Sequence, residues 1–445
     1  MKIAFCTLGC KVNQADTASM QVLFEQAGYT TVDFADRADI YLINTCVVTN
    51  TGQRKSRQMI NRAIRRNPEA VIIVTGCYPQ TALAEVQAIP GVDVIIGNQN
   101  RQQVVTLAEA AYRTKQSSKL QDCSSVKEFD PDTVFEELPA GHIAERTRAF
   151  LKIQEGCNQF CTYCIIPYAR GRLRSRSLEN ITEEVNKFVA AGYQEVVLIG
   201  IHLGCYGKET GTKTLYDGVQ AALAVPGLKR LRLGSLESVE VEERLLDLML
   251  QEPRFCHHLH LPLQSGCDKI LAAMHRPYDK AKFRELVNKI RAKVPDIAIT
   301  TDIIVGFPGE TAEDFAATCK FAEEMQFAKI HIFPYSKRQG TPAASMPGQL
   351  TEKEKNGRAE MLAKIDEQSQ QHFLKSMLGS YADVLFEQDG EGHSGNYQLV
   401  RCPGAEGLSN FIRKVKIIGV DGNCLLGQVA PDGAGRVAVG DRDEG

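Results

Sequence analysis

The repeated alternation of short apolar strands with helical segments constrains the fold of this 445-residue chain more than any other feature. The first series of this kind occupies residues 1–113. Its predicted strands are Lys2–Phe5, Ile40–Asn44, Val71–Thr75 and Val92–Ile96, and its predicted helices are Ala15–Gln26, Gly52–Arg66, Thr81–Ala88 and Arg101–Arg113. Such alternation favours a parallel sheet with helices on both faces. We therefore predict an α/β domain over residues 1–113.

A second and longer series follows over residues 146–375, after a polar stretch at 114–145 that is typical of a linker. Its predicted strands are Phe150–Gln154, Glu195–Ile199, Arg230–Leu233, His258–Leu261, Ile297–Ile304 and Lys329–Phe333; its predicted helices include Ile181–Ala191, Val241–Leu250, Lys280–Lys293 and Ala312–Glu324. Six strand–helix repeats predict a parallel sheet curled into a partial βα barrel. Periodicity alone leaves an open, doubly wound sheet as the alternative.

The composition changes near residue 376, after a long charged segment that predicts a helix over Glu352–Leu378. From Ser380 the chain is rich in glycine and contains short β-like runs. These runs are Ala382–Phe386, Gln398–Arg401, Val415–Val420 and Leu425–Val429. Several short strands at this spacing predict a small β-barrel over residues 376–445.

The charge and the cysteine content limit the classes of function. With 52 basic and 54 acidic residues the net charge is −2, so any binding of nucleic acid must use local patches. No apolar run reaches 18 residues, and Met1–Cys10 does not resemble a signal peptide, so we expect no membrane span and a cytoplasmic location. There thiols stay reduced, and the 14 cysteines are expected to be free thiols, metal ligands or catalytic groups.

One cluster of cysteines follows the first strand of the second series. Cys157, Cys161 and Cys164 are separated by three and two residues. Soft thiolates select iron–sulfur clusters, zinc or copper(I). A structural zinc site requires a fourth ligand. Three cysteine ligands to a 4Fe-4S cluster would leave one iron without a cysteine. The alternatives are a zinc site and three buried core cysteines.

Three further cysteines are distant in sequence but similar in position. Cys10, Cys46 and Cys77 each follow a predicted strand of the first sheet, at its carboxyl end. That edge of an open α/β sheet is where ligands bind, because its loops converge on a crevice. The three thiols are therefore predicted to meet at one point, unless they are unrelated.

These motifs resemble a known family. The central triad is similar to that of the radical S-adenosylmethionine (SAM) superfamily, whose open iron binds SAM. The segment from Thr7 to Gln14, with Asn44-Thr45-Cys46 and Thr75-Gly76-Cys77, resembles the N-terminal domain of the methylthiotransferases. The C-terminal segment resembles their TRAM domain. The resemblance implies two 4Fe-4S clusters, one on each cysteine triad.

The resemblance also implies a SAM site at the strand ends of the barrel. The loop that contains Gly306 and Pro308 is expected to contact the adenine, and Gly200, Ser235 and Glu237 are expected near the amino-acid and ribose groups. Glycines allow close approach of the backbone to a ligand. The alternative for each is ordinary turn chemistry at a strand end.

Two basic clusters are candidates for contact with RNA phosphates. One lies on the predicted helix Gly52–Arg66, which carries six basic residues and no acidic ones. The other consists of Arg170, Arg172, Arg174 and Arg176, directly after the central triad. Because it is close to the triad, we favour the second cluster for RNA. Lys414 is a further candidate in the C-terminal segment.

The resemblance to the methylthiotransferases favours a tRNA substrate. The residues around Cys10 and Cys46 resemble the branch that inserts a methylthio group at C2 of N6-threonylcarbamoyladenosine at position 37, next to the anticodon. The same chemistry on N6-isopentenyladenosine or on a ribosomal protein aspartate is the alternative. An external reductant such as flavodoxin or ferredoxin is also implied. Rivals from other classes are a two-cluster electron-transfer protein and an RNA-binding module with structural zinc.

Overall fold

The first domain is a five-stranded parallel sheet with helices on both faces. The computed structural model describes residues 1–117, 125–130, 132–141 and 147–431. The elements of this domain are β1 (Lys2–Thr7), α1 (Lys11–Gln26), β2 (Thr30–Val32), β3 (Ile40–Thr45), α2 (Asn50–Arg66), β4 (Val71–Gly76), α3 (Cys77–Thr81), α4 (Leu83–Gln87), β5 (Val94–Ile96) and α5 (Val104–Ser117). The strand order is β2-β1-β3-β4-β5, and every pair is parallel. Every residue of β3 and β4 is buried, as expected for strands covered on both faces.

The central domain is a partial barrel. Its elements are β6 (Arg148–Glu155), α6 (Ile166–Arg170), β7 (Arg174–Ser175), α7 (Leu178–Ala190), β8 (Glu195–Gly200), α8 (Leu215–Leu223), β9 (Arg230–Leu233), α9 (Glu243–Gln251), β10 (His258–His260), α10 (Asp268–Ala273), α11 (Lys280–Lys293), β11 (Ala298–Val305), α12 (Ala312–Met325) and β12 (Lys329–Pro334). Two sheets, β7-β6-β8-β9 and β10-β11-β12, are joined by parallel bridges Leu231–Phe255 and Ser235–His260. The prediction of a partial barrel is thus confirmed, and the alternative of an open, doubly wound sheet is excluded.

The C-terminal domain is a closed β-barrel, as predicted. The long helix α13 (Glu352–Ser376) leads into β13 (Tyr381–Gln388), β14 (Glu391–Ser394), β15 (Leu399–Arg401), β16 (Ile412–Asp421) and β17 (Cys424–Val429). The strands close in the order β13-β14-β15-β17-β16. In the described residues no helix is long and apolar enough to cross a membrane.

Helix α1 joins the first domain to the inner face of the barrel. Leu151 and Leu198 pack among the outer helices, so the residues that alternate with them face inward. Val12 and Ala15 of α1 pack against Val197 and Ile199, the inward-facing residues of β8. The helix that begins directly after Cys10 therefore lies along the inside of the barrel.

Several elements differ from the sequence predictions. The short strands β2 and β14 and the helix α8 were not predicted, and the predicted helix Thr81–Ala88 is instead the pair α3 and α4. Ala82, with φ −147°, interrupts this pair. Helix α5 continues to Ser117, inside the predicted linker. Residues 118–124, 131 and 142–146 of that linker, and 432–445 of the C-terminal segment, lie outside the described residues.

Candidate metal centres and the cleft between them

The first cysteine triad lies at the carboxyl edge of the N-terminal sheet. Strands β1, β3 and β4 are neighbours in register, and Cys10, Cys46 and Cys77 each follow the end of one of them. A β-carbon on Gly9 would lie 3.0 Å from the Sγ of Cys46, so the chain at Cys10 passes close to Cys46. Gly9 has φ +102°, which favours glycine. The structure thus brings together the three loops that carry these cysteines.

Polar side chains brace the loops of this triad. Asn13 Nδ2 donates to the carbonyls of Leu8, at 2.7 Å, and Thr45, at 3.0 Å. Burial raises the pKa of Cys46 above its ordinary value, and the nearby thiols of Cys77 and Cys10 raise it further. The thiols of Cys10 and Cys77 therefore lie near that of Cys46.

The second triad lies in the loop between β6 and α6. The loop begins at Gly156, where φ is +78° and a β-carbon would meet the carbonyl of Arg172 at 1.8 Å, so glycine is required. The amide of Cys157 donates to the carbonyl of Gly171, and the amide of Cys164 donates to that of Cys161. Backbone hydrogen bonds therefore hold the loop at both its first and its last cysteine.

Arg276 and His202 touch sulfurs of this triad. The sequence did not predict either of them as its neighbour. Arg276 Nη1 donates to Cys161 Sγ at 3.2 Å, and Arg276 Nη2 donates to Glu237. His202 Nδ1 lies 3.3 Å from Cys157 Sγ, while its Nε2 lies 3.0 Å from Glu240 Oε1. The sequence offered no signal for Arg276, which is 115 residues from Cys161.

In neither triad do the three sulfurs lie close enough together for a single zinc ion. Three thiolates on one zinc would lie about 3.8 Å apart, given a Zn–S bond of about 2.3 Å. Among the described residues two groups of candidate ligands lie within 4.8 Å of one another, and neither contains a cysteine of the triads. Burial raises the pKa of Cys161, and that of Cys164 to about 12. Both thiols are therefore unlike reactive nucleophiles, and metal binding must displace their protons.

Buried ion pairs join the two triads. Arg170, in α6, donates to Asp16 Oδ2 at 2.8 Å, to Glu155 Oε1 at 3.0 Å and to Asn13. Lys152 also pairs with both carboxylates, at 2.5 and 2.7 Å. Burial would raise the pKa values of Asp16 and Glu155, but the surrounding cations outweigh it and lower both. Asn98 Nδ2 completes the link, because it donates to the carbonyl of Ala169 and lies 3.8 Å from Cys77 Sγ.

This arrangement corrects the favoured RNA-binding cluster. Arg170, Arg174 and Arg176 are buried, with relative exposures of 0%, 5% and 3%. Arg174 donates to the carbonyls of Arg170 and Arg172, and Arg176 donates to those of Lys152 and Leu138. These three guanidinium groups hold the protein together and are not free for phosphates. Arg172 is exposed.

A cleft of about 1180 Å³ opens beside the loops that carry the two triads. Its lining includes Val47, directly after Cys46, and Ile165, directly after Cys164. The far wall is a loop of the barrel in which Arg338 donates to Asn50 at 2.6 Å and to Gln53 at 3.1 Å. One cleft therefore adjoins both candidate metal centres.

The predicted SAM residues fall into two groups. Gly200, Ser235 and Glu237 lie at strand ends near the second triad, and Glu237 is joined to Cys161 through Arg276. Gly306 and Pro308 are buried. The amide of Gly306 donates to Glu310 at 2.7 Å, and a β-carbon there would meet Lys355 at 2.3 Å. The second loop thus packs against α13, and this close packing requires a glycine at position 306.

The other predicted basic residues lie on the surface. The exposed basic residues of α2 are Arg54, Lys55, Arg57, Arg62 and Arg65, while its buried side is Ser56, Ile60 and Ala63. Lys414 is partly exposed, 3.7 Å from Asp383.

Family models match both α/β domains. The model described as the Radical SAM superfamily matches residues 151–322, and the model described as uncharacterized protein family UPF0004 matches residues 2–97. A solved structure of TsrM, a radical S-adenosylmethionine methyltransferase from Kitasatospora setae with cobalamin and a 4Fe-4S cluster bound, is similar with a TM-score of 0.58. That alignment covers 77% of each chain at 16% identity, which supports the fold.

Curated relatives align over nearly the whole chain. The threonylcarbamoyladenosine tRNA methylthiotransferase MtaB of Bacillus subtilis is 42% identical over 94% of this chain and 93% of its own. The protein of the same name from Aquifex aeolicus is 37% identical over 93% of this chain and 99% of its own. The tRNA-2-methylthio-N(6)-dimethylallyladenosine synthase of Carboxydothermus hydrogenoformans is 35% identical over 92% and 95%.

Proposed function

The chain belongs to the radical SAM tRNA methylthiotransferases, and we propose that it inserts a methylthio group at C2 of N6-threonylcarbamoyladenosine at position 37 of tRNA. The cofactors of this family are SAM and two 4Fe-4S clusters. The choice of substrate rests on the two relatives of 42% and 37% identity that carry that activity in their names. The relative named for dimethylallyladenosine is 35% identical.

The observation that carries this function is the cleft beside the two triads. Cys10, Cys46 and Cys77 are proposed to hold one cluster, and Cys157, Cys161 and Cys164 the other. Each triad offers three thiolates, which leaves one iron of a 4Fe-4S cluster without a cysteine. Because Val47 and Ile165, each directly after a cysteine of one triad, line the same cleft, an RNA bound there lies next to both triads. A protein that only transfers electrons between two clusters would not need an open cleft beside them.

The chemistry needs both sites because the C2–H bond of adenine is not acidic enough for a side-chain base. When bound, SAM and the central cluster supply the radical that removes this hydrogen, and the N-terminal cluster supplies the sulfur. The chain's own residues position the two sites. Arg170 and Asn98 fix the separation of the triads, and Arg338 closes the barrel loop onto α2. Burial of the linking ion pairs keeps water out of this seam.

Gly200, Ser235 and Glu237 are proposed to contact SAM. They lie at the carboxyl ends of β8 and β9, which is the ligand-binding end of a βα barrel. Ser235 is exposed, and Glu237 is held by Arg276, so both are available at the mouth of the barrel. Gly306 and Pro308 are proposed to support this site from behind by packing against α13.

The exposed face of α2 is proposed as an RNA contact, with Arg172 and Lys414. Helix α2 begins at the cleft, where Asn50 and Gln53 line it, and its basic face extends away along the surface. Charged side chains in this position would contact phosphates of an anticodon stem-loop while the unstacked base enters the cleft. The closed C-terminal barrel carries Lys414 of this proposed RNA contact. An external reductant such as flavodoxin or ferredoxin is proposed to supply electrons to the enzyme.

Mass spectrometry of tRNA nucleosides tests the function. A strain that lacks the gene is expected to lose 2-methylthio-N6-threonylcarbamoyladenosine and to accumulate the unmethylthiolated nucleoside. Complementation with the wild-type gene should restore the product, and the Cys157→Ala gene should not. An unchanged level of the product in the deletion strain would refute the choice of substrate. Loss of the 2-methylthio-isopentenyl nucleoside instead would assign the other branch.

A further inference from the structure

Lys11 is a cation without a carboxylate partner in the interior of the barrel. It is the first residue of α1, directly after Cys10. Its Nζ lies 5.9 Å from the ring centroid of Phe150 and 5.8 Å from that of Tyr397. Within the described part of the chain, no carboxylate oxygen lies within the 4.0 Å of an ion pair with Lys11. The side chain is exposed, so a ligand can reach it.

The neighbouring cations differ from Lys11 because each has a partner. Arg148 and Arg232 also lie over the ring of Tyr397, at 5.1 and 4.6 Å. Arg148 pairs with Glu387 at 2.8 Å, and Arg232 pairs with Glu195 at 2.8 Å. The interior therefore contains one lysine charge that these carboxylates do not neutralise.

Polar side chains of three adjacent strands face the same interior. Leu259, Ile299 and Ile330 pack among the outer helices, so His260, Asp302 and His331 lie on the inner face. His260 Nε2 lies 3.2 Å from Asp302 Oδ1, and the rings of His260 and His331 are 5.6 Å apart. Tyr397 connects Lys11 to these side chains, because its ring lies 5.8 Å from Lys11 Nζ and 5.1 Å from the ring of His258. His258 and His260 both contact Thr300 Oγ1, at 3.2 and 2.9 Å.

We propose that Lys11, together with His260 and Asp302, forms the subsite that binds the carboxylate-bearing N6 substituent of the substrate adenosine. Lys11 meets the carboxylate, and Asp302, which is held by His260, offers a carboxylate oxygen that accepts hydrogen bonds from the hydroxyl and carbamoyl N–H groups. C2 and N6 belong to the same adenine ring, and Lys11 adjoins Cys10, so a base with C2 near the first triad has its N6 substituent near Lys11. This inference rests on the proposed function and adds the residues that select the substituent.

The subsite explains selection between the two tRNA substrates. An isopentenyl group has no polar atom, so its burial against Lys11 and Asp302 would remove water from both charges without replacing the lost hydrogen bonds. A threonylcarbamoyl group supplies a carboxylate, a hydroxyl and an amide. The polar lining therefore favours the threonylcarbamoyl group, and an apolar pocket would favour the isopentenyl group.

The test compares two anticodon stem-loop RNAs that differ in one charge. The first carries N6-threonylcarbamoyladenosine, and the second carries the same group with the threonine carboxylate converted to a carboxamide. Binding to the reconstituted holoenzyme without reductant gives Kd, and single-turnover assays give the yield of methylthiolated product. Wild-type enzyme is expected to bind the acid about 10- to 100-fold more tightly than the amide, as for a hydrogen bond to a charged group.

Variants of Lys11 connect the preference to this residue. Lys11→Met is expected to remove the preference by weakening binding of the acid, and Lys11→Arg is expected to retain most of it. Lys282→Met, on the outer helix α11, is the matched control and should keep the full preference. Iron and sulfide content is measured for every variant, so that only preparations with both clusters are compared.

The outcomes separate this inference from the proposed function. If the wild-type enzyme methylthiolates the acid RNA but binds acid and amide equally, the subsite is wrong and the function stands. Full preference in Lys11→Met would also overturn the subsite. If the wild-type enzyme methylthiolates an isopentenyladenosine RNA and not the threonylcarbamoyladenosine RNA, the proposed function fails, and the subsite fails with it.

Discussion

Arg170 Nη1 lies 2.8 Å from Asp16 Oδ2, and this contact joins the helix after the second cysteine triad to the helix after Cys10. Both side chains are almost fully buried, at 0% and 2% exposure. A second hydrogen bond from Arg170 reaches Asn13, which braces the loop of Cys10. Arg170 is therefore one of the buried side chains that set the distance between the two candidate clusters.

Replacement of Arg170 by Met should destabilise the interface between the domains. The change leaves Asp16 and Glu155 with one fewer cation each in a buried setting, and breaking a buried pair costs about 3–5 kcal/mol. We expect a lower temperature of unfolding and a loss of iron from the first triad. Circular dichroism and iron content measure these effects. Arg172→Met, at an exposed position, is the control. Equal stability of the two variants would show that the contact is dispensable.

Cysteine variants should separate the two sites. Cys10→Ala removes one proposed ligand of the first cluster, so SAM cleavage after reduction should persist while methylthio transfer disappears. Cys157→Ala removes a ligand of the second cluster and should abolish both. Iron content should fall by about half in each variant. Release of 5′-deoxyadenosine and formation of the modified nucleoside are the two measurements. Loss of SAM cleavage in both variants would contradict the division of roles.

The sequence located the six cysteines better than it located their surroundings. Strand ends and local spacing predicted where Cys46 and Cys157 lie, because both signals operate within a few residues. The alternating arginines after Cys164 were interpreted as a surface, since a sequence pattern does not show which side chains another domain covers. Arg276 could not be predicted, because its contact with Cys161 depends on the closure of the barrel over 115 residues.

Arg276 should raise the reduction potential of the second cluster. Its Nη1 donates to Cys161 Sγ at 3.2 Å, and hydrogen bonds and positive charge near a cluster sulfur favour the reduced state. Arg276→Met is expected to lower the potential by at least about 60 mV, the equivalent of one charge-assisted hydrogen bond. Arg276→Lys should keep much of the potential, because it keeps the charge. Redox titration followed by electron paramagnetic resonance measures the shift. An unchanged potential in a fully loaded Arg276→Met enzyme would remove Arg276 from this role.

Exposed and buried arginines should respond differently to salt. Arg62 and Arg65 lie on the exposed face of α2, so their replacement by Gln should weaken RNA binding. Each lost phosphate contact should also reduce the slope of log K against log salt concentration by about 0.7–0.9. Arg174 is buried against the ring of Phe129, so Arg174→Gln should lower stability and leave the slope unchanged. Lys282→Gln on α11 is the control for a lost surface charge. Binding of an anticodon stem-loop across a range of salt concentrations gives all four slopes. A reduced slope for Arg174→Gln would indicate that the arginines after Cys164 contact the RNA. An unreduced slope for Arg62→Gln and Arg65→Gln would show that α2 does not.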